Sequence, residues 1–290
     1  MSPVPAVPVT DLDDPRIADY RDVSDAVLLE RRGLFVAEGR LVVRRLLDGG
    51  RYTVRSLLVT PAALAGLDKG DSDTGDGSFV REGYSTEAPV PFFVVSFDLM
   101  RRLTGFNFHR GCLALAERPA PVAPAEVLGS LAGDAVVVAL EEITNADNVG
   151  GVFRNAAAFG AGAVLLSPGC CDPLYRKAIR TSMAACLRVP FARVAPWPDG
   201  LSALRTADFA IVALTPAAGA RDLADLARDP ARPRRLALVV GTEGAGLSPA
   251  AEALADARVR IPMAPGVDSL NLATATGVAL YELTKTNAEV

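Results

Sequence analysis

Five short apolar runs recur along the second half of the chain, at 135–140, 163–167, 209–214, 236–240 and 258–261. Amphipathic segments separate them, at 149–159, 174–187, 201–206, 223–227 and 249–254. Strands that are apolar throughout and alternate with helices predict an α/β domain, a parallel sheet covered on both faces. Asp172-Pro173 reads as the N-cap and first residue of the helix starting near Leu174. Ligands in such sheets bind beyond the carboxyl ends of the strands, so the residues that follow each run are the ones to weigh for chemistry.

The first half differs in character. Residues 118–125 (RPAPVAPA) are rich in Pro and Ala, lack periodicity, and read as an extended linker. The expected division is a disordered start at 1–12, a smaller α/β domain at 13–117, a Pro/Ala-rich linker at 118–132 and the parallel-sheet domain at 133–290. Within 13–117, helices are predicted at 24–30 and 39–47, and strands at 54–60, 92–96 and 112–116. The stretch 68–78 (DKGDSDTGDGS) is acidic and Gly-rich and reads as a surface loop.

Composition narrows the function classes. With 290 residues, half of them hydrophobic, and a mean hydropathy of +0.26, most of the chain should fold. The longest apolar runs, 135–140 and 236–240, fall far short of a membrane span, and the start MSPVP has neither a basic n-region nor an apolar h-region. Four cysteines (Cys112, Cys170, Cys171, Cys186) and one histidine show no metal-ligand spacing. The expectation is therefore no metal, no membrane, and thiols kept reduced in the cytoplasm. A net charge of −4 argues, as a total, against nucleic acid. Local clusters run the other way: Arg31-Arg32, Arg40, Arg44-Arg45, Arg51, Arg55, Arg101-Arg102, His109-Arg110, and the Arg176, Lys177, Arg180 group. For any single cluster a solvated helix face is the simpler reading.

Three strand–loop–helix junctions carry the chemistry. In the first, 145–156 (NADNVGGVFRNA), Asn148 can cap the helix, two glycines permit close approach, and Arg154 shares the side of Gly150 and Gly151. It reads either as a capped helix with a surface arginine or as an anion or ribose clamp. In the second, 238–249 (LVVGTEGAGLSP), the glycines follow G-x-x-G-x-G and the turn holds Glu243, whose charge would repel a pyrophosphate. Glu243 then accepts from a ribose or the backbone, pairs with an arginine, or stays wet. The third, 261–273, places Ser269 and Asn271 where a helix begins, after a Gly/Pro loop that reads either as main chain facing an adenine between Met263 and Leu270 or as a loop that packs those two side chains into the core.

Taken together, Asn148-x-Gly-x-x-x-Arg154-x-Ala, Gly241-x-Glu243-Gly-x-Gly-Leu-Ser and Ile261-Pro-Met…Ser269-Leu-Asn271-x-Ala resemble the three signature motifs of the SpoU (TrmH-like) RNA 2′-O-ribose methyltransferases. The segments LFVAEG, VVRRLL, SLLVT and HRGCLAL are similar to the ribosomal-protein-L30e-like substrate-binding domain that precedes that catalytic domain, with His109-Arg110-Gly111 where family members often carry His-Gln-Gly. The resemblance implies a parallel sheet whose C-terminal part is tied in a trefoil knot, which ordinary topology makes very rare. It also implies S-adenosylmethionine as methyl donor and a homodimer. By the same resemblance Asn148, Arg154, Glu243, Ser269 and Asn271 take the catalytic roles, while Thr215, Gly241, Ile261, Met263 and Leu270 line the cofactor pocket.

The only histidine, His109, precedes the linker, which excludes a histidine acid–base site built from the C-terminal domain alone. A guanidinium with pKa above about 12 is a poor general base, so Arg154 is expected to orient the 2′-hydroxyl or its phosphate and to stabilise developing charge. RNA then gives the basic clusters a use, with Arg31, Arg40, Arg44, Arg110 and Arg176 as RNA contacts and Phe106, Phe108 and His109 stacking on bases. Phe106 and Phe108, at period two, equally fit one face of a strand. The expected substrate is 23S-type ribosomal RNA. The alternatives are transfer RNA, an antibiotic-resistance ribosomal RNA methyltransferase, and a non-catalytic RNA-binding or ribosome-assembly protein. A nicotinamide oxidoreductase fails on the missing G-x-G-x-x-G.

Overall fold

The structure, a computed structural model, describes residues 6–21, 24–68, 90–104 and 111–285. Phe106, Phe108, His109 and Arg110, most of the 68–78 stretch, and the first five residues lie outside the described residues. Two compact units are present: Met1–Pro119 with Leu174–Leu187, and Ala120–Pro173 with Arg188–Val290. Among the described residues no helix is long and apolar enough to cross a membrane.

The first unit is built on β1 (Ala6–Pro8), β2 (Leu34–Glu38), β3 (Val54–Val59), β4 (Phe92–Val94) and β5 (Cys112–Glu117) in the order β1-β4-β3-β5-β2. The β1–β4 and β3–β4 pairs are parallel, and β5 runs antiparallel to β2 and β3. Its helices are α1 (Asp25–Arg32), α2 (Arg40–Asp48), α3 (Pro61–Asp68) and α4 (Phe97–Thr104). Helix α1 starts where Ser24 Oγ accepts from Val27 N and stops at Gly33 in the left-handed region. Ile17, Tyr20, Leu28, Leu58, Met100 and Leu113 fill the core. The strand at Ala6–Pro8 corrects the expectation of disorder from 6 to 12. Val9 is buried, and its N–H donates to Val94 O at 2.9 Å, so apolar burial and a sheet edge hold this segment.

The second unit carries seven strands: β6 (Ala135–Leu140), β7 (Ala163–Leu166), β8 (Phe191–Arg193), β9 (Ala210–Leu214), β10 (Arg221–Asp222), β11 (Arg235–Val240) and β12 (Ala257–Arg260). Their order is β10-β12-β9-β11-β6-β7-β8, and every pair is parallel, as the alternating pattern predicted. Six α-helices of the described residues belong to this unit: α5 (Pro124–Gly129), α6 (Ala146–Ala158), α8 (Ser202–Thr206), α9 (Leu223–Ala227), α10 (Pro249–Ala253) and α11 (Leu272–Thr284). Helix α5 falls inside the stretch read as a linker. Pro124 is its first residue, a position where the missing N–H costs nothing, and Val127 and Leu128 enter the core. Burying a side chain such as Leu128 contributes about 1.5–3 kcal/mol, ample to hold a single turn of helix.

The segment read as one helix over 174–187 is α7 (Arg176–Thr181) followed by a 3₁₀ turn at Ala185–Leu187. Met183 and Ala184 have positive φ and break the helix, and the N-cap is Tyr175. Asp172 does not cap it, because its buried carboxylate accepts from Arg193 Nη2 at 3.1 Å.

All four cysteines are free. Burial pushes the Cys112 thiol up to about 12 and raises that of Cys170, and Cys186 is also buried. Since the thiolate is the reactive form, Ellman's reagent at pH 8 is expected to titrate one cysteine per native chain, the half-buried Cys171, and all four in denaturant. Rapid reaction of two or more native thiols would show that the segments burying Cys112, Cys170 and Cys186 open readily.

Candidate active site

The carboxyl ends of β9, β11 and β12 open into a cavity of about 600 Å³. Thr215 follows β9 and is buried, its N–H donating to Val259 O at 2.9 Å. Gly241 follows β11 in a turn where Gly246 N donates to Thr242 O at 3.0 Å and Gly244 and Gly246 take positive φ. Ile261 and Met263 follow β12, and Leu270 ends the loop before α11. All five residues expected to hold a cofactor line this one cavity.

Three of the expected catalytic residues, Glu243, Ser269 and Asn271, line the cavity as well. Asn148 joins them by hydrogen bonds. Its Nδ2 donates to Glu243 Oε1 at 2.9 Å, and Asn271 Nδ2 donates to Glu243 Oε1 and to Asn148 Oδ1, each at 3.0 Å. Leu272 N completes the set at 3.5 Å from the same Glu243 oxygen. The turn carboxylate thus accepts from two amides and a helix N-terminus, an arrangement suited to a negative charge. No arginine pairs with Glu243 among the described residues.

Helix α6 reaches this network differently from the sequence reading. Its N-cap is Asn145, whose Oδ1 accepts from Asp147 N at 2.8 Å. Asn148 is a buried residue of the first turn and faces the network instead of the cap. The register against α11 is set by close contact: an added Cβ on Gly151 would lie 2.6 Å from the Ala273 Cβ, and Asn155 Nδ2 donates to Ala273 O at 2.6 Å. Asn271 caps α11, its Oδ1 accepting from Thr274 N at 3.2 Å. Its two amide atoms therefore serve the helix and the network at once.

Arg154 stands apart. It lies on α6 three residues after Gly151, is exposed, does not line the cavity, and makes no ion pair or hydrogen bond among the described residues. Ser269 is exposed at the cavity rim. Of the residues expected to meet RNA, Arg31 and Arg40 are exposed, and Arg44 is half-buried, 3.9 Å from Asp48. Arg176 is committed to Asp25, which accepts its N–H at 2.9 Å and its Nε at 2.5 Å. Arg110 lies outside the described residues.

One residue that braces the site is absent from the sequence expectations. Glu141, just beyond β6, is buried, and its Oε1 accepts from Trp197 Nε1 and Ser248 Oγ, each at 2.6 Å. Its Oε2 accepts from Ser248 N at 2.8 Å. A carboxylate directly after an apolar strand is the cue that could have found it, but its partners stand 56 and 107 positions away.

Known proteins resemble this chain in sequence and in fold. Residues 135–281 match the family model described as SpoU rRNA methylase. An uncharacterized tRNA/rRNA methyltransferase of Mycobacterium bovis is 40% identical over 289 residues, covering 97% of this chain and 93% of that protein. Among solved structures, the AdoMet-bound rRNA methyltransferase of Sinorhizobium meliloti superposes with a TM-score of 0.76 at 25% identity, covering 97% of this chain and 98% of that one. The SpoU methyltransferase AviRb of Streptomyces viridochromogenes gives 0.73 at 25% identity, covering 95% and 98%. With the three junctions joined at one cavity and the match spanning them all, the chain belongs to the SpoU rRNA methylase family.

Proposed function

We propose that this protein methylates a ribose 2′-hydroxyl in structured RNA, with S-adenosylmethionine as donor and ribosomal RNA of the 23S type, in preference to transfer RNA, as substrate. The observation that carries the reading is the Asn148–Glu243–Asn271 network, which binds the three junctions together at the rim of one cavity. The cavity volume falls in the roughly 300–1,000 Å³ range of small-molecule sites. Its wall is apolar at Leu214, Ile261, Met263 and Leu270, and its charged lining residues are the carboxylates Glu243 and Asp268. That charge suits a ligand bearing a sulfonium and an ammonium and opposes a pyrophosphate, which also counts against a nicotinamide dinucleotide.

S-adenosylmethionine, when bound, supplies an electrophilic methyl group. Thr215, Gly241, Ile261, Met263 and Leu270 would hold it, main-chain groups and apolar side chains together reading its adenine. The remaining work falls to the chain's own side chains. Glu243 fixes Asn148 and Asn271, so that the two amides and Ser269 meet the target nucleotide in a set geometry. Arg154, its guanidinium unpaired among the described residues, orients the 2′-hydroxyl or the neighbouring phosphate and stabilises the negative charge that develops as the hydroxyl proton leaves. The preference for ribosomal RNA is supported by the likeness, over nearly the full length of both chains, to an rRNA methyltransferase.

In the same reading the first unit is an L30e-like RNA-binding domain that meets phosphates through Arg31, Arg40 and Arg44. The second unit carries the family's knot and pairs into a homodimer, and the four free cysteines fit the reducing cytoplasm. S-adenosylhomocysteine at 100 times its Kd is expected to stabilise the protein by about 2.7 kcal/mol, a rise in melting temperature of roughly 5 °C, and NAD to leave it unmoved. Stabilisation by NAD alone would overturn the donor assignment.

A further inference from the structure

We propose that Glu141 is a positioning residue for the donor cavity, clasping both ends of the turn that forms one wall; this rests on the cavity being the S-adenosylmethionine site. Glu141 does not line the cavity, so any effect it has on a ligand is exerted through the turn. At the start of the turn its backbone N–H donates to Val240 O at 2.9 Å. At the far end its carboxylate takes both donors of Ser248, the N–H at 2.8 Å and the Oγ at 2.6 Å. Between the two anchors run Gly241, Thr242, Glu243, Gly244 and Gly246, all on the cavity wall.

The turn has little to fix it from within. Its internal closure is the Thr242–Gly246 bridge, and two of its glycines sit at positive φ, where the backbone is free to rearrange. An external clasp therefore decides where Glu243 stands against Asn148 and Asn271. A carboxylate suits the task because it accepts on both oxygens. Glutamine keeps the size but places an NH₂ against either the Ser248 N–H or the donors shared by the other oxygen, so at least one contact becomes donor against donor. The indole N–H of Trp197 donates to Glu141 Oε1, the oxygen that also accepts from Ser248 Oγ, at 2.6 Å. Since Trp197 is the only tryptophan of the chain, the clasp carries its own fluorescent reporter.

The test compares wild type, Glu141→Gln and Ser248→Ala as full-length proteins. S-adenosylhomocysteine binding is measured by calorimetry and by Trp197 emission, and KM and kcat for S-adenosylmethionine are measured alongside. Glu141→Gln is expected to weaken S-adenosylhomocysteine binding and raise KM by about tenfold, with kcat falling less than about threefold. The emission change seen on saturating wild type should be lost in this variant. If Glu141→Gln yields no folded protein, Ser248→Ala, which removes the Oγ bond to Glu141 together with the α10 cap bond from Ala251 N at 3.2 Å and keeps the Ser248 N–H bond, is expected to weaken binding by about three- to fivefold. Affinity within twofold of wild type with the emission response retained, whatever the melting temperature, would overturn the inference alone. A wild type that does not bind S-adenosylhomocysteine would overturn the donor-site reading and the inference with it.

Discussion

Arg154→Ala is expected to lower kcat by about 100- to 1,000-fold, the usual loss when a group that stabilises developing charge is removed. S-adenosylhomocysteine affinity should stay within about twofold and the melting temperature within about 1 °C, since exposed side chains without partners contribute little to folding. Both expectations follow from the same geometry: Arg154 does not line the cavity and carries no hydrogen bond or ion pair among the described residues. In the proposed mechanism this guanidinium, unpaired among the described residues and carried on the helix that also presents Asn148, meets a ribose or a phosphate. Arg154→Lys is expected to recover less than about a tenth of the lost rate, because an ammonium keeps the charge and loses the planar fork. The measurement is single-turnover methyl transfer with enzyme in excess, which separates chemistry from binding. A rate within about threefold of wild type, with donor binding intact, would remove Arg154 from the mechanism.

Gly241→Ala carries the largest expected effect on the cavity itself. A Cβ at this position would lie 2.2 Å from the carbonyl carbon and oxygen of Gly246 and 2.4 Å from Leu247 N. Those are backbone atoms, so no side-chain rotation relieves the overlap and the 241–248 turn has to open. The cost is about 2–4 kcal/mol, as for other severe overpacking, and the melting temperature should fall by roughly 4–10 °C. Opening the turn also moves Glu243 away from Asn148 and Asn271, so S-adenosylhomocysteine binding is expected to weaken by at least about 100-fold, more than the strain alone would cause. Calorimetry on the folded variant checks this at a temperature below its transition. Wild-type affinity in that variant would mean that the turn does not shape the donor site.

The strands of the second unit were readable because a parallel sheet buried on both faces leaves unbroken apolar runs. β6 lies where the run at 135–140 put it, and β9, β11 and β12 agree within a residue or two at each end. β8 and β10, three and two residues long, are too short to show a period and were not read. Pro124 looked like part of a linker, yet it begins α5, and only the burial of Val127 and Leu128 in the sheet core decides between the two. The site shows the same limit. Asn145 and Asn148 both suit a helix N-terminus by composition. Which one caps is settled by Glu243, 95 positions along the chain, which claims the Asn148 amide. Gly241, Ile261, Met263 and Leu270 were legible as motif residues and Thr215 only through the family resemblance, whereas Glu141 was not legible, because a buried acid is defined by donors that only the fold brings to it.

We propose methylation of a ribose 2′-hydroxyl in ribosomal RNA. Its most direct test is transfer of labelled methyl from S-adenosylmethionine to ribosomal RNA prepared without endogenous modification, with transfer RNA as a parallel substrate and Arg154→Ala as control. Alkaline hydrolysis requires a free 2′-hydroxyl, so a methylated ribose leaves a resistant dinucleotide. The account predicts label in that dinucleotide from ribosomal RNA, and little from transfer RNA or with Arg154→Ala. Label confined to alkali-labile mononucleotides, or no transfer to either RNA by protein that binds S-adenosylhomocysteine, would contradict it.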